Sequence, residues 1–170
     1  ARAYSSKSIN RNRIINYFFH KYDLKKFEIN NWSQREYDFL TVARNTKQKG
    51  FLELEKFCRY VSHIFLSKPN ILIITDNLKE AINLEELKTK LNSVCDIQFK
   101  VNLSNVEVLE DMTKSKIYFC LSHYEGFGIT ILESILSGCF ILTTNVGEQE
   151  HYLDPNRRLL LDNNNYNLDF

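Results

Sequence analysis

Residues 122–138, Ser-His-Tyr-Glu-Gly-Phe-Gly-Ile-Thr-Ile-Leu-Glu-Ser-Ile-Leu-Ser-Gly, bring together groups that could bind an anion and a polyol at once. Two carboxylates, Glu125 and Glu133, flank two glycines, Gly126 and Gly128. The glycines remove side chains where a ligand would approach. The apolar residues that follow open a helix, whose first N–H groups lack intrahelical partners and attract phosphate. Glu125 stands just before that helix and Glu133 inside it, so at ~1.5 Å per residue the carboxylates lie roughly 8–12 Å apart along the axis. A nucleotide diphosphate sugar fits that span, with its sugar near Glu125, its phosphates at the helix start and its ribose hydroxyls at Glu133. On spacing alone, two solvated glutamates beside an ordinary α/β turn also fit.

Positioning these groups takes a strand and a helix. Ile117-Tyr-Phe-Cys-Leu121 is short, apolar and ended by polar residues, as a buried strand should be. Ile129, Leu132, Ile135 and Leu136 recur at helical spacing until Gly138 closes the segment. The same alternation recurs upstream. Tyr37–Ala43 reads as a first core strand, Arg44–Gly50 as a basic loop, and Phe51 to about Leu66 as a helix buried through Phe51, Leu54, Phe57, Val61, Ile64 and Phe65. Strands follow at 69–74 and 97–101, separated by one or two helical turns from Leu78 and a helix over 84–91. Ser104 and Glu107 fit a capping box for a helix to about Lys114. A fifth strand ends near Thr144, and 145–150 reads as a turn and helix start. Trp32 is expected to anchor its loop by packing, and the asparagine-rich 163–167 to be a loop or tail.

This order predicts an α/β fold, a Rossmann-like doubly wound parallel sheet over residues 36–170, with its ligand crevice at the carboxyl ends of the strands. Residues 1–35 read as an amphipathic basic helix and linker leading into it. Arg44 and Lys49, in a loop at such a carboxyl end, would face a diphosphate with two cations as charge grows on the leaving group. Solvated charges on a turn are the plainer alternative.

Glu125-Gly-Phe-Gly, then Glu133 and Gly138, resembles the E-x7-E signature of retaining GT-B glycosyltransferases of the family 4 type. Val42-Ala-Arg44 with Lys49-Gly50 is similar to the family's "GR….KG" segment, Ser122 to its serine before the first glutamate, and 143–150 to its "T..GG..E" end. Thr75-Asp-Asn77 and Val101 stand where glycines are usual. The resemblance implies the C-terminal, donor-binding half of such an enzyme. Arg44, Lys49 and Glu125 would be catalytic, and Gly126, Phe127, Gly128, Ile129, Thr130 and Glu133 would bind donor. Lys100 and Val101 would lie beside the base. The substrate would be a nucleotide diphosphate sugar, with no metal and no cofactor, and an N-terminal acceptor domain would complete the cleft. A non-catalytic sugar-nucleotide module and a GT-B-shaped nucleotide-sugar epimerase are the alternatives.

Bulk properties narrow the class. The 170 residues are 44% hydrophobic and 13% aromatic with 5 Gly and 2 Pro, which describes a folded chain and not a disordered one. A net charge of +1 makes no general case for nucleic acid. The charge is uneven, +6 over residues 1–27 and −5 over the remainder. The helix expected over 9–22 sets Ile14, Phe18 and Tyr22 against Arg11, Arg13 and Lys21, and it either packs on the domain or lies on an anionic membrane surface. Cys58, Cys95, Cys120 and Cys139 show no CxxC pair and read as buried reduced thiols, which suits the cytoplasm, with or without a peripheral membrane contact. His20, His63, His123 and His151 show no metal-ligand spacing, and His123 reads as hydrogen-bonded scaffold in preference to a catalytic group.

Overall fold

Successive side chains of the strand Tyr37–Val42 (β1) point to opposite faces, so Phe39 enters one hydrophobic core and Leu40 another. The computed structural model describes residues 30–147, 153 and 158–161. Five further strands follow β1: β2 (Asn70–Thr75), β3 (Asp96–Val101), β4 (Ser115–Cys120), β5 (Phe140–Thr144) and β6 (Arg158–Leu161). They pair in the order β3-β2-β1-β4-β5-β6, every pair parallel. A parallel sheet needs cover on both faces, and among the described residues four helices supply it. Helices α1 (Leu54–Ile64) and α2 (Leu84–Leu91) close the Phe39 face through residues such as Leu54, Phe57, Leu84 and Leu91. Helices α3 (Asn105–Thr113) and α4 (Ile129–Leu136) close the Leu40 face through Leu109, Met112 and Ile131. On the first face Phe57 stacks on Phe119 at 4.2 Å and meets Phe39 edge-on at 5.7 Å.

The expected α/β architecture is the observed one, with a sixth strand added. β6 escapes a sequence reading because it is four residues long and takes its ladder from β5. Other expectations are corrected. The helix begins as a 3-10 turn over Phe51–Glu53, becomes α-helical at Leu54 and ends at Ile64. The turns expected after Leu78 are replaced by a bridge between Lys79 and Asn83, because Asn45 holds the segment by its own side chain. Its Nδ2 donates to the Ile82 carbonyl at 2.9 Å and its Oδ1 accepts from Ile82 N at 3.3 Å. Trp32 is 51% exposed and does not anchor by burial. Arg35 does that work: its guanidinium is buried and donates to the carbonyls of Ser115, Ser137 (3.0 Å) and Asn30 (3.2 Å).

On α4 the buried side is Ile131, Glu133 and Ser134, while Ile129 stands 49% exposed and Leu132, Ile135 and Leu136 are intermediate. Ser134 is fully buried with its hydroxyl donating to the Ile131 carbonyl at 2.7 Å, so the most apolar stripe is not the buried one. All four cysteines are buried and free. The helix expected over 9–22, the helix start at 148–150 with Glu150, and the 163–167 tail lie outside the described residues.

Candidate functional site

The sheet order changes direction between β1 and β4. The chain lays β2 and β3 outward on one side of β1, then returns to put β4, β5 and β6 on the other. The connections leaving β1 and β4 run to helices on opposite faces, α1 and α4, and the carboxyl ends between them are the usual ligand position in such sheets. The two stretches singled out by chemistry are the two that border it: Arg44–Gly50 leaves β1 and Leu121–Gly128 leaves β4.

Their groups meet. Lys49 Nζ donates to Glu125 Oε1 at 2.7 Å, and Ser122 Oγ donates to the same oxygen at 2.8 Å. With side chains only 19% and 15% exposed, this ion pair is screened less than a surface pair. Gly50 makes the approach possible, because a Cβ there would sit 2.0 Å from the Leu121 carbonyl oxygen and its φ is +75°. Gly147, after β5, backs the turn from behind, where a Cβ would lie 2.4 Å from the Glu125 carbonyl. The Thr144 hydroxyl donates to the Ser122 carbonyl at 2.6 Å.

Around Gly126 the space is open, with no atom of the other described residues beyond its two chain neighbours within 4 Å of where a Cβ would stand. Gly128 caps α4 in the left-handed region at φ 70°, and the first helical N–H groups start there. Glu133 is buried one helical turn further along, 7% exposed. Phe127 is half-buried and Ile129 exposed. The Thr130 hydroxyl accepts from Tyr118 Oη at 2.9 Å, and burial pushes that phenol well above its ordinary range, so it remains a proton donor. Cys120, under the turn, is likewise raised by burial and lies 3.3 Å from Ser122 Oγ. Such a thiol is inert.

Arg44 is exposed at the end of β1, and the adjacent Asn45 N–H donates to Asp76 Oδ1 at 3.3 Å across the β1–β2 boundary. The two residues expected beside the base sit on β3. Lys100 is engaged by Asp111 at 2.7 and 2.8 Å, whereas Val101 is 38% exposed at the strand end. The left-handed residue there is Asn102 at φ 55°, one position after the place where a glycine is usual in the family it resembles.

Four features escaped the sequence reading: the Lys49–Glu125 bond itself, the Asn45 hub, the buried Arg35, and a contact of 3.1 Å between His123 Nε2 and Glu53 Oε1. None has a local signal, since each joins residues distant in the chain.

With the crevice and its residues in view, the comparisons are specific. The chain matches the family "Glycosyl transferases group 1" over residues 23–168 and belongs to that family. A protein of Acidianus filamentous virus 2, itself assigned only provisionally as a glycosyltransferase, is 27% identical over 124 residues, which are 70% of this chain and 36% of the viral protein. The chain thus spans about a third of that curated relative. Among solved structures, the C-terminal domain of the glycosyl transferase group 1 family protein LpcC from Francisella tularensis is similar with a TM-score of 0.63 and 21% identity, over 83% of this chain and 80% of that one. The pneumococcal O-GlcNAc transferase GtfA, in complex with UDP and GlcNAc, gives 0.62 and 22%, over 89% of this chain and 32% of that one. At these identities the likeness shows the fold, that of GT-B glycosyltransferase domains.

Proposed function

We propose that this chain is the donor-binding, C-terminal half of a retaining GT-B glycosyltransferase of the family 4 type. It would hold a nucleotide diphosphate sugar whose sugar passes to a hydroxyl of a glycan, lipid or protein. The observation that carries this reading is the Lys49–Glu125 pair spanning the switch point between β1 and β4, immediately before a helix start. Arg44, Lys49 and the N–H groups after Gly128 stabilise the diphosphate, on which negative charge grows as its bond to the sugar breaks. An ammonium has three donors, so Lys49 can keep Glu125 and still reach a phosphate oxygen.

Glu125 is fixed through Oε1, which leaves Oε2 for the hydroxyls of the donor sugar. Glu133 takes the ribose, and Lys100 and Val101 border the base. The chemistry needs no metal or cofactor in this reading, because protein cations and helix N–H groups supply the positive charge. The acceptor site belongs to an N-terminal half, and the basic 9–22 segment offers a contact with an anionic membrane surface. The setting is the cytoplasm.

Calorimetric titration of the chain with UDP, GDP and ADP sugars tests the reading. One nucleotide class should bind, and Glu133→Ala and Arg44→Ala should each weaken it by about 10- to 100-fold, the loss of one charge-assisted hydrogen bond of ~1.5–3 kcal/mol. A folded chain that binds none of them, alone or joined to its acceptor half, would overturn it.

A further inference from the structure

Besides the Lys49–Glu125 pair, a second side-chain contact joins the same two loops. Glu53 closes the 3-10 turn that follows Gly50, and its Oε1 lies 3.1 Å from Nε2 of His123, two residues before Glu125. The His123 backbone N–H donates to the Gln48 carbonyl at 2.9 Å. His123 is therefore gripped on both sides of Lys49, by Gln48 through its backbone and by Glu53 through its ring. Between these contacts the backbone of Gly50 sits on that of Leu121 too closely for a side chain. The Glu53 carboxylate is itself constrained, since its Oε2 is buried and has no hydrogen-bond partner among the described residues. A carboxylate that gives up solvation on one oxygen depends more heavily on the polar contact at the other.

We infer that Glu53 and His123 are positioning residues for the donor site: their contact locks the 48–53 segment against the 121–125 turn and so holds Lys49 where it meets both Glu125 and a diphosphate. The inference rests on the donor-binding reading above and adds to it two residues that touch no ligand. His123 orients toward Glu53, which separates it from the reacting groups despite its place beside Glu125 in the sequence.

The test combines two measurements on the 170-residue chain. Amide hydrogen exchange without ligand reads the lock, and calorimetric titration with UDP, GDP and ADP sugars reads its consequence. His123→Ala should speed exchange at Lys49, Gly50 and residue 123 at least 10-fold, leave exchange in β2 and β3 unchanged, and weaken binding about 5- to 20-fold. His123→Gln, whose amide can still donate to Glu53, should restore most of both. In a Lys49→Ala background, His123→Ala should weaken binding by less than 2-fold, because the residue it positions is gone.

Unchanged exchange in His123→Ala overturns the inference. So does an equal loss of binding with and without Lys49, or a failure of glutamine to rescue. If the lock loosens as expected while the wild-type chain binds none of the nucleotides, the donor reading is what falls and the positioning role falls with it. Should His123→Ala fail to fold, Glu53→Ala carries the exchange and Lys49-background comparisons, and Glu53→Gln, which keeps an acceptor toward His123, takes the place of the rescuing variant.

Discussion

At the scale of single residues, Gly50 shows how little freedom the site leaves. A methyl group there would have to occupy the Leu121 carbonyl, and the left-handed φ of +75° strains any other L-residue by ~1–2 kcal/mol in addition. Gly50→Ala should therefore cost about 3 kcal/mol or more in urea unfolding, whereas Gly126→Ala, facing open space, should cost under ~1 kcal/mol. Cys139 makes a prediction about pH. Burial pushes its thiol from 9.0 to about 11 despite the Arg35 guanidinium nearby, and the protonated thiol faces the carbonyls of Met112 and Ser115 at 3.2 and 3.4 Å. The unfolded chain loses this proton first. The stability it represents is therefore complete below pH 9 and drains as pH rises to about 11, by roughly 2–3 kcal/mol. Urea unfolding at intervals across that range should show the decline, and Cys139→Ala should flatten it by about that amount. That the thiols are buried was legible from the apolar runs around three of them. That Glu125 is held by Lys49 was not, because the glutamate and the loop cations were visible only as separate groups.

Among elements, the boundaries that carried their own chemistry were legible. The capping box at Ser104 is present in both directions, Ser104 Oγ accepting from Glu107 N at 3.4 Å and Glu107 Oε2 accepting from Ser104 N at 2.8 Å. The helix over 84–91 and the first five strands fall within a residue or two of where pattern and length set them. The segments that went wrong are shaped by distant partners. Residues 78–83 contain nothing that forbids a helical turn, and it is Asn45, more than thirty positions away, that draws them into a bridge.

Arg35 acts in the same manner at the opposite end of the sheet, tying the 30–35 segment to the start of β4 and the end of α4. Arg35→Ala should remove the guanidinium donors from the Ser115 and Ser137 carbonyls and cost roughly 3–5 kcal/mol, read as a fall in the urea midpoint at constant m-value. Trp32→Ala, half-exposed and with the Arg35 guanidinium 5.9 Å from its ring, should cost under ~1 kcal/mol.

For the molecule as a whole, the parallel order and its switch point were implied by strand–helix alternation, and with them the edge on which a ligand would bind. That edge gives the proposed function a spatial signature. A bound nucleotide sugar should slow amide exchange at residues 44–50 and 122–130 and leave the opposite edge, around residues 69–70 and 114–116, unaffected. At a ligand concentration of 100 Kd it should stabilise the chain by ~2.7 kcal/mol. Protection at the opposite edge would place the ligand elsewhere. No helix among the described residues is long and apolar enough to cross a membrane.

The sheet order also has a temporal side. Lys49 and Glu125 stand 76 positions apart, and β1 finds its partners at very different times. As a ribosome delivers the chain, β1, β2 and β3 emerge together and can pair, but the other side of β1 must wait for β4. During that interval a central strand behaves as a naked edge, with an unpaired row of N–H and C=O groups beside Phe39 and Leu40. The hazard ends and the site forms at the same moment, when β4 docks and carries Glu125 onto Lys49. A fragment stopped at residue 114 should aggregate in light scattering, and one extended through β4 and α4 should do so far less.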